Sequence, residues 1–440
     1  MTEPLGTGIM TPFLDPFVKK LAMIPPRHVR FLALLLGFTA VPNPGFAREI
    51  HVKDVAAIVT TYFHNSHADI IVSRLLQTDT LDGKGKDSPL RLVSLYTDQK
   101  PTTDISRMLA ASHRFPIYDT IEGALTLGTG KLAVDGVLLI GEHGNYPKSP
   151  TGNAQFPKRR FWEEVFNVFR KSGRVVPVFA DKHIADNWKD ASYIYETART
   201  MNIPLMAGSS VPGTWRKPAV DVRPRARLQE IVGITFGSTD GYGFHALEYV
   251  QALAEQRHGG ETGIRAVQCL VDDAVWEAKE KRRFDPELFQ AAWDRLPRHL
   301  NGDRPLREAV KKPILFSLEY TDGLRVHILE LNGAAGEWSA AWRYQESGEV
   351  ESAQAWTQEG RPGMHFTLLL NGIEAMILTG KPSWPAERTL LTSGALDALL
   401  TSRLGGGHRL ETPQLQLSYT SDWRWTAPPP PPPMRPWGEQ

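Results

Sequence analysis

Three short clusters of charged and imidazole side chains stand where chemistry could be done. "VVPVFADKH" ends a buried-looking apolar run with Asp181, Lys182 and His183, and "VLLIGEHG" ends another with Glu142, His143 and Gly144. Further on, "GYGFHALEY" sets His245, Glu248 and Tyr249 at the i, i+3, i+4 spacing of one helical face. A lysine withdrawn from water has a lowered pKa. Lys182, with His245 as partner, is therefore the pair expected to move a proton, from a sugar hydroxyl or from the carbon beside a carbonyl. Glu142, His143, Asp181, His183 and Glu248 are expected to position a substrate. The same carboxylates and imidazoles are ligand types for a divalent metal, yet no spacing among them is diagnostic of one.

Such residues act together only if the fold gathers them. From "DVAAIVTTYF" to "IPLMAGS" the chain alternates β-branched apolar runs with helical spacings, as in "SHADIIVSRLLQ" and "FWEEVFNVFRK". Val134 to Ile140 is almost wholly apolar, as a parallel strand covered on both faces must be. Strands separated by helices imply a doubly wound parallel sheet of the Rossmann type. In such a sheet the strand C-termini border the ligand crevice, which explains charged turns after apolar strands. After about Trp215 the runs "LQEIVGITFG", "IRAVQCLV", "ILFSLEYTDGLRVHILEL", "EWSAAWRY" and "MHFTLLLNGIEAMIL" read as strands, with Thr321-Asp322-Gly323 a hairpin turn. The expected architecture is α/β: an N-terminal doubly wound domain over 48–215, then an α+β domain over 216–425 with a mostly antiparallel sheet. "AERTLLTSGALDALLTSRL" reads as a closing helix ended by Gly405, and residues 426–440 as a Pro-rich extended tail.

The bulk composition is that of a globular protein, 41% hydrophobic and 22% charged over 440 residues. A formal net charge of +1 supplies no field for nucleic acid, so a small molecule or a carbohydrate is the expected partner. The single cysteine, Cys269, excludes an intramolecular disulfide. Residues 1–47 read as a leader, with a signal peptide over 23–47: Arg27 and Arg30, an apolar run too short for a stable transmembrane anchor, then Gly45-Phe46-Ala47. The expected location is then outside the cytoplasm, periplasmic or extracellular; without a cleaved leader it is cytoplasmic.

The long loop from Glu142 to Arg160 adds Tyr146 beside the crevice, and "GSSVPGTWRKP" adds Arg216 at the domain junction. Loops of this length in a compact domain are commonly functional. Aromatic faces with guanidinium donors suit a sugar or a carboxylated sugar.

Taken together, "VDGVLLIG", "VPVFADKHIADNWKDASYIYETARTMNIPLMAGSS", "GYGFHALE" and "GKPSWPAERTLLTSGALDALLTSR" resemble the Gfo/Idh/MocA family of glucose-fructose oxidoreductases and inositol dehydrogenases. Asp181-Lys182-His183 stands where that family has Glu-Lys-Pro, and His245 matches its histidine. The resemblance implies that the turns at 142–144 and 181–183 are neighbours, with His245 and Glu248 reaching them from the second domain. It further implies an oxidoreductase using NAD(P), a sugar substrate, and strands that pair across a homo-oligomer. Asp98, ending the second strand, is where a ribose hydroxyl would be bound. Two departures stand out. The turn "TTYFHNSHAD" has no glycine, so Thr60, Tyr62 and Asn65 should block a pyrophosphate, and Gly241 replaces an expected aspartate, with Asp240 adjacent. The sequence thus leaves open a redox-neutral lyase or hydrolase on this scaffold, or a noncatalytic carbohydrate-binding protein.

Overall fold

The computed structural model describes residues 52–431, apart from 297–299, 303 and 358–361. The leader at 1–47 and the end of the Pro-rich tail lie outside the described residues. Six parallel strands form the first sheet: β1 (Lys53–Val59), β2 (Leu90–Thr97), β3 (Ile117–Tyr118), β4 (Gly136–Ile140), β5 (Val178–Asp181) and β6 (Leu205–Gly208). Their order is β3-β2-β1-β4-β5-β6, so the chain reverses direction across the sheet between β1 and β4. The connecting helices are α1 (His67–Leu76), α2 (Ser106–His113), α3 (Ile121–Thr126), α4 (Lys158–Ser172) and α5 (Trp188–Thr200). Both faces are covered, which is why these strands read as continuous apolar runs rather than alternating ones. Ala56, Ile58, Val137 and Leu139 face α3, α4 and α5, while Val55, Ala57, Val59 and Leu138 face the opposite core.

The second sheet contains β7 (Trp215–Lys217), β8 (Leu228–Thr235), β9 (Ile264–Val271), β10 (Ile314–Tyr320), β11 (Arg325–Glu330), β12 (Trp338–Tyr344), β13 (Val350–Trp356) and β14 (Leu410–Glu411). They lie in the order β14-β9-β10-β11-β8-β12-β13-β7, antiparallel except for the β11–β8 pair. The hairpin at 321–323 joins β10 to β11, with Gly323 at φ 93°. One face packs on α6 (Tyr242–Ala254) and α11 (Ala386–Leu404) through residues such as Phe244, Leu247, Phe316 and Leu396. The other carries α7 (Asp273–Glu280), α8 (Pro286–Trp293) and α9 (Leu306–Ala309).

One expected strand is a helix. "MHFTLLLNGIEAMIL" forms α10 (His365–Thr379), because Phe366, Leu369, Leu370, Ile373, Met376 and Ile377 recur at the helical period and not at a period of two. That face does not pack on the second sheet. It returns to the first, covering the side of β1 and β4 that carries Val55, Ala57 and Leu138. No helix among the described residues is long and apolar enough to cross a membrane.

Candidate functional site

At the C-terminal rim of the first sheet lies a cavity of about 330 Å³. Glu142 and His143 enter from the end of β4, Lys182 and His183 from the end of β5, and His67 from the start of α1. His245 enters from α6, and Asp240 and Tyr242 from the turn that precedes and opens it. Trp338, at the start of β12, and Tyr242 stack with centroids 5.3 Å apart, forming an aromatic wall.

Glu142 is the electrostatic centre. Its Oε2 accepts from Lys182 Nζ at 3.0 Å and its Oε1 from Lys158 Nζ at 3.2 Å, all three side chains being buried. Burial opposes the charge on Glu142, yet the two ammoniums hold its carboxyl well below the usual carboxylate range. Burial likewise opposes the charge on Lys182, but Glu142 and Asp181 outweigh it and hold this amine above its ordinary value. The expected lowered pKa is therefore corrected: Lys182 is a fixed cation, not a poised base. Lys158, at the start of α4, belongs to the long loop expected beside the crevice, and it is the second cation on Glu142. Its three protons meet Glu142 Oε1 and the backbone oxygens of Lys182, at 2.5 Å, and His183, at 2.8 Å, so it pins the β5 turn from beneath. Gly141 makes room for it, since a Cβ there would sit 3.0 Å from Lys158 Cγ.

Three of the imidazoles around these charges, those of His143, His183 and His245, are disfavoured as cations. Burial pushes His183 and His245 well below the usual histidine value, with Lys158 adding to the shift at His183 and Lys182 at His245. Burial, then His67 nearby, brings His143 down to about 4. His143 is held at φ 66°, a left-handed conformation costly for a residue with a Cβ, which puts its ring edge-on to His67 at 5.3 Å. His245 Nδ1 lies 2.6 Å from Ser209 Oγ.

The remaining expected residues lie elsewhere. The Asp181 carboxylate does not line the cavity; its Oδ2 binds His67 Nδ1 at 2.6 Å from behind. Glu248 shares the helix of His245 but faces the domain junction. It accepts from Thr392 Oγ1 at 2.6 Å and Ser209 N at 3.2 Å, and burial raises its pKa. It packs so tightly on the end of β6 that a Cβ at Gly208, φ 118°, would fall 2.4 Å from its Oε2. Arg216 is buried against Asp221, with the Trp425 ring 4.6 Å away, and does not reach the cavity. Tyr146 donates to Asp98 at 2.8 Å and is likewise outside the lining.

The dinucleotide implied by the fold would lay its pyrophosphate on the β1–α1 turn, and the residues present do not fit it. No glycine occurs between Val59 and Gly83. Tyr62 is fully buried, its hydroxyl 2.9 Å from Ser73 Oγ. The α1 N-terminus already holds an anion: buried Asp69 accepts from Asn65 N at 2.9 Å and Ser73 Oγ at 2.7 Å, and Ser66 Oγ caps Asp69 N. A phosphate would meet a carboxylate where it needs free N–H donors. Asp98, read as the ribose ligand, is engaged by Tyr96, Tyr146 and Arg160; burial raises its pKa, but these partners outweigh it and leave it lowered. Among the described residues no group of three or more His, Cys, Asp or Glu is arranged to hold a metal ion.

No protein-family model and no curated protein matches the chain. Solved structures do. GenD2 from gentamicin A biosynthesis, in complex with NAD, is similar at TM-score 0.52 and 13% identity, over 82% of this chain and 96% of that one. Myo-inositol dehydrogenase from Lactobacillus casei, in complex with NAD(H) and myo-inositol, is similar at TM-score 0.50 and 11% identity, over 82% and 96%. The chain has the Gfo/Idh/MocA fold. At these identities the Gfo/Idh/MocA likeness fixes architecture and leaves the reaction to the residues in the crevice.

Proposed function

We propose that the protein is an enzyme acting on a neutral sugar or sugar derivative in this crevice, by proton transfer and without hydride transfer to NAD(P). The observation that carries the reading is the meeting of the Lys182 ammonium and the His245 ring in one cavity, under the Tyr242–Trp338 wall. A cavity of about 330 Å³ falls at the lower end of the range for small-molecule sites, as a single sugar ring requires. Lys182 holds developing negative charge on a substrate oxygen, and the neutral imidazoles supply hydrogen bonds without repelling it. Myo-inositol, the polyol bound by the Lactobacillus casei dehydrogenase, has the chemistry such a lining recognises. The dehydrogenase reading rests on the fold likeness, and the filled β1–α1 turn weighs against it.

Calorimetric titration of the purified protein tests both. Millimolar NAD(H) and NADP(H) should give no saturable heat, whereas a panel of neutral sugars and inositols should yield a saturating ligand whose affinity falls in Lys182→Ala. Saturable dinucleotide binding would overturn the redox-neutral reading. An unchanged sugar affinity in Lys182→Ala would favour a noncatalytic binding protein. Export is a separate proposal, supported by the residues at 23–47; N-terminal sequencing of the mature protein should then begin near Arg48.

A further inference from the structure

His67 was not singled out by the sequence reading, yet it has the bonding pattern of a base. Its Nδ1 lies 2.6 Å from Asp181 Oδ2. A carboxylate accepts and does not donate, so Nδ1 carries a proton, and in the neutral ring Nε2 keeps its lone pair. Nε2 makes no hydrogen bond among the described residues, and the ring lines the cavity. Phe366 packs edge-on to it at 5.1 Å and His143 at 5.3 Å, which fixes the plane of the imidazole.

His245 is the complement, its ring centre 6.4 Å from that of His67. Ser209 Oγ accepts from Val211 N at 3.0 Å and lies 2.6 Å from His245 Nδ1. A hydroxyl has two lone pairs and one proton; where that proton goes to Nδ1, the histidine hydrogen sits on Nε2. In these tautomers one imidazole offers a lone pair and the other an N–H, while the Lys182 ammonium lines the same cavity. A base, a donor and a cation lining one cavity form the arrangement that removes a proton beside a carbonyl.

We propose that His67, oriented by Asp181, is the general base of the site, and that the substrate is a neutral sugar or polyol bearing a carbonyl group. This rests on the crevice being the sugar site described above. The C–H bond beside the carbonyl breaks and its proton passes to His67 Nε2. The electron pair forms the C=C bond of an enediolate as the carbonyl π pair moves onto oxygen, where Lys182 and the His245 N–H hold it. Return of the proton from His67 to the former carbonyl carbon, with the hydroxyl proton of the neighbouring carbon passing to the former carbonyl oxygen, gives the carbonyl isomer. No oxidant, reductant or second substrate enters the balance.

The test uses the full chain in D2O with 2-keto-myo-inositol and fructose as probes, following by NMR the loss of protons on carbons beside the carbonyl. Calorimetry on the same samples measures binding. The wild type should bind at least one probe and exchange its protons. His67→Gln should slow exchange by about 100-fold or more with affinity retained. Asp181→Asn should slow exchange and shift its pH profile, because an amide no longer fixes the Nδ1–H tautomer. Should His67→Gln fail to fold, as judged by thermal unfolding, His67→Asn takes its place. Binding without exchange, or exchange equal in wild type and His67 variants, overturns the assignment of the base and leaves the sugar site standing. No binding of either probe overturns both.

Discussion

Two clusters of buried charge lie along α6, and they are built differently. At its C-terminal end Arg388 grips Glu255 through two bonds, of 2.9 and 2.5 Å, and Tyr419 donates to the same carboxylate at 2.8 Å. Arg257 pairs with Glu261 at 3.0 Å and Asp322 at 2.7 Å, and Gln251 donates to Glu261. Arg388 borders a cavity of only about 20 Å³, too small for a substrate, and the guanidiniums of the network lie against the rings of Trp423 and Tyr320. At the N-terminal end the Glu142–Lys158–Lys182 cluster is just as buried, but it borders a cavity lined by five histidines, His67, His143, His183, His245 and His365. Burying charge is therefore not the mark of function in this molecule. The mark is charge whose neighbours keep unused hydrogen-bonding capacity toward an open volume.

Breaking the closed cluster should have the larger effect on stability. Arg388→Met leaves Glu255 buried without its cation and should cost about 3–5 kcal/mol, read from urea unfolding. Lys182→Met should behave oppositely. Glu142 keeps Lys158, so the stability loss should be about 1–3 kcal/mol, while turnover of the sugar substrate falls by about 100-fold or more. A Lys182 variant with unimpaired turnover would erase the distinction between the clusters.

Acid should separate them further. His183 and His245 are held well below 6.5 in the fold, and His143 at about 4. Between that value and 6.5 the unfolded chain binds protons the folded chain refuses, so stability is complete above pH 6.5 and declines as pH falls toward 4. Urea unfolding across this range should show the slope, and His143→Gln should flatten it. For Lys182, raised above 10.5, the sign is reversed: its contribution is present below pH 10.5 and lost as pH rises through the folded value. The smallest effect is expected from Glu248→Gln. The amide oxygen can still accept from Ser209 N while its NH2 donates to the Thr392 hydroxyl, so stability should change by no more than about 1 kcal/mol and sugar affinity should be unaffected.

The positions of Lys182, His183, Glu142 and His143 were legible because they follow apolar strands, and a parallel sheet presents strand ends at its crevice. By the same rule His67 was within reach, as it opens the helix after β1, in a turn whose lack of glycine is its more conspicuous feature. Lys158 was read as part of the loop beside the crevice, since nothing in a helix-start "KRRFW" separates the buried cation from its two neighbours. Glu248 shows the limit of helical spacing. Three residues past His245, it shares a face with it, yet the close approach of β6 and α11 encloses one and leaves the other on the cavity. The helix α8 carried a signal that went unread, Asp285 capping Glu287 N at 2.8 Å with Pro286 in the first turn. The apolar run of α10 was mistaken for a strand because its three consecutive leucines obscured the wider period.

The return of α10 to the first sheet sets a timetable for synthesis. When residue 215 leaves the ribosome all six parallel strands exist, but the Val55, Ala57 and Leu138 side of that sheet still lacks Phe366, Leu369 and Ile373. The nascent chain must keep that surface from sticking to its neighbours until some 150 further residues have emerged.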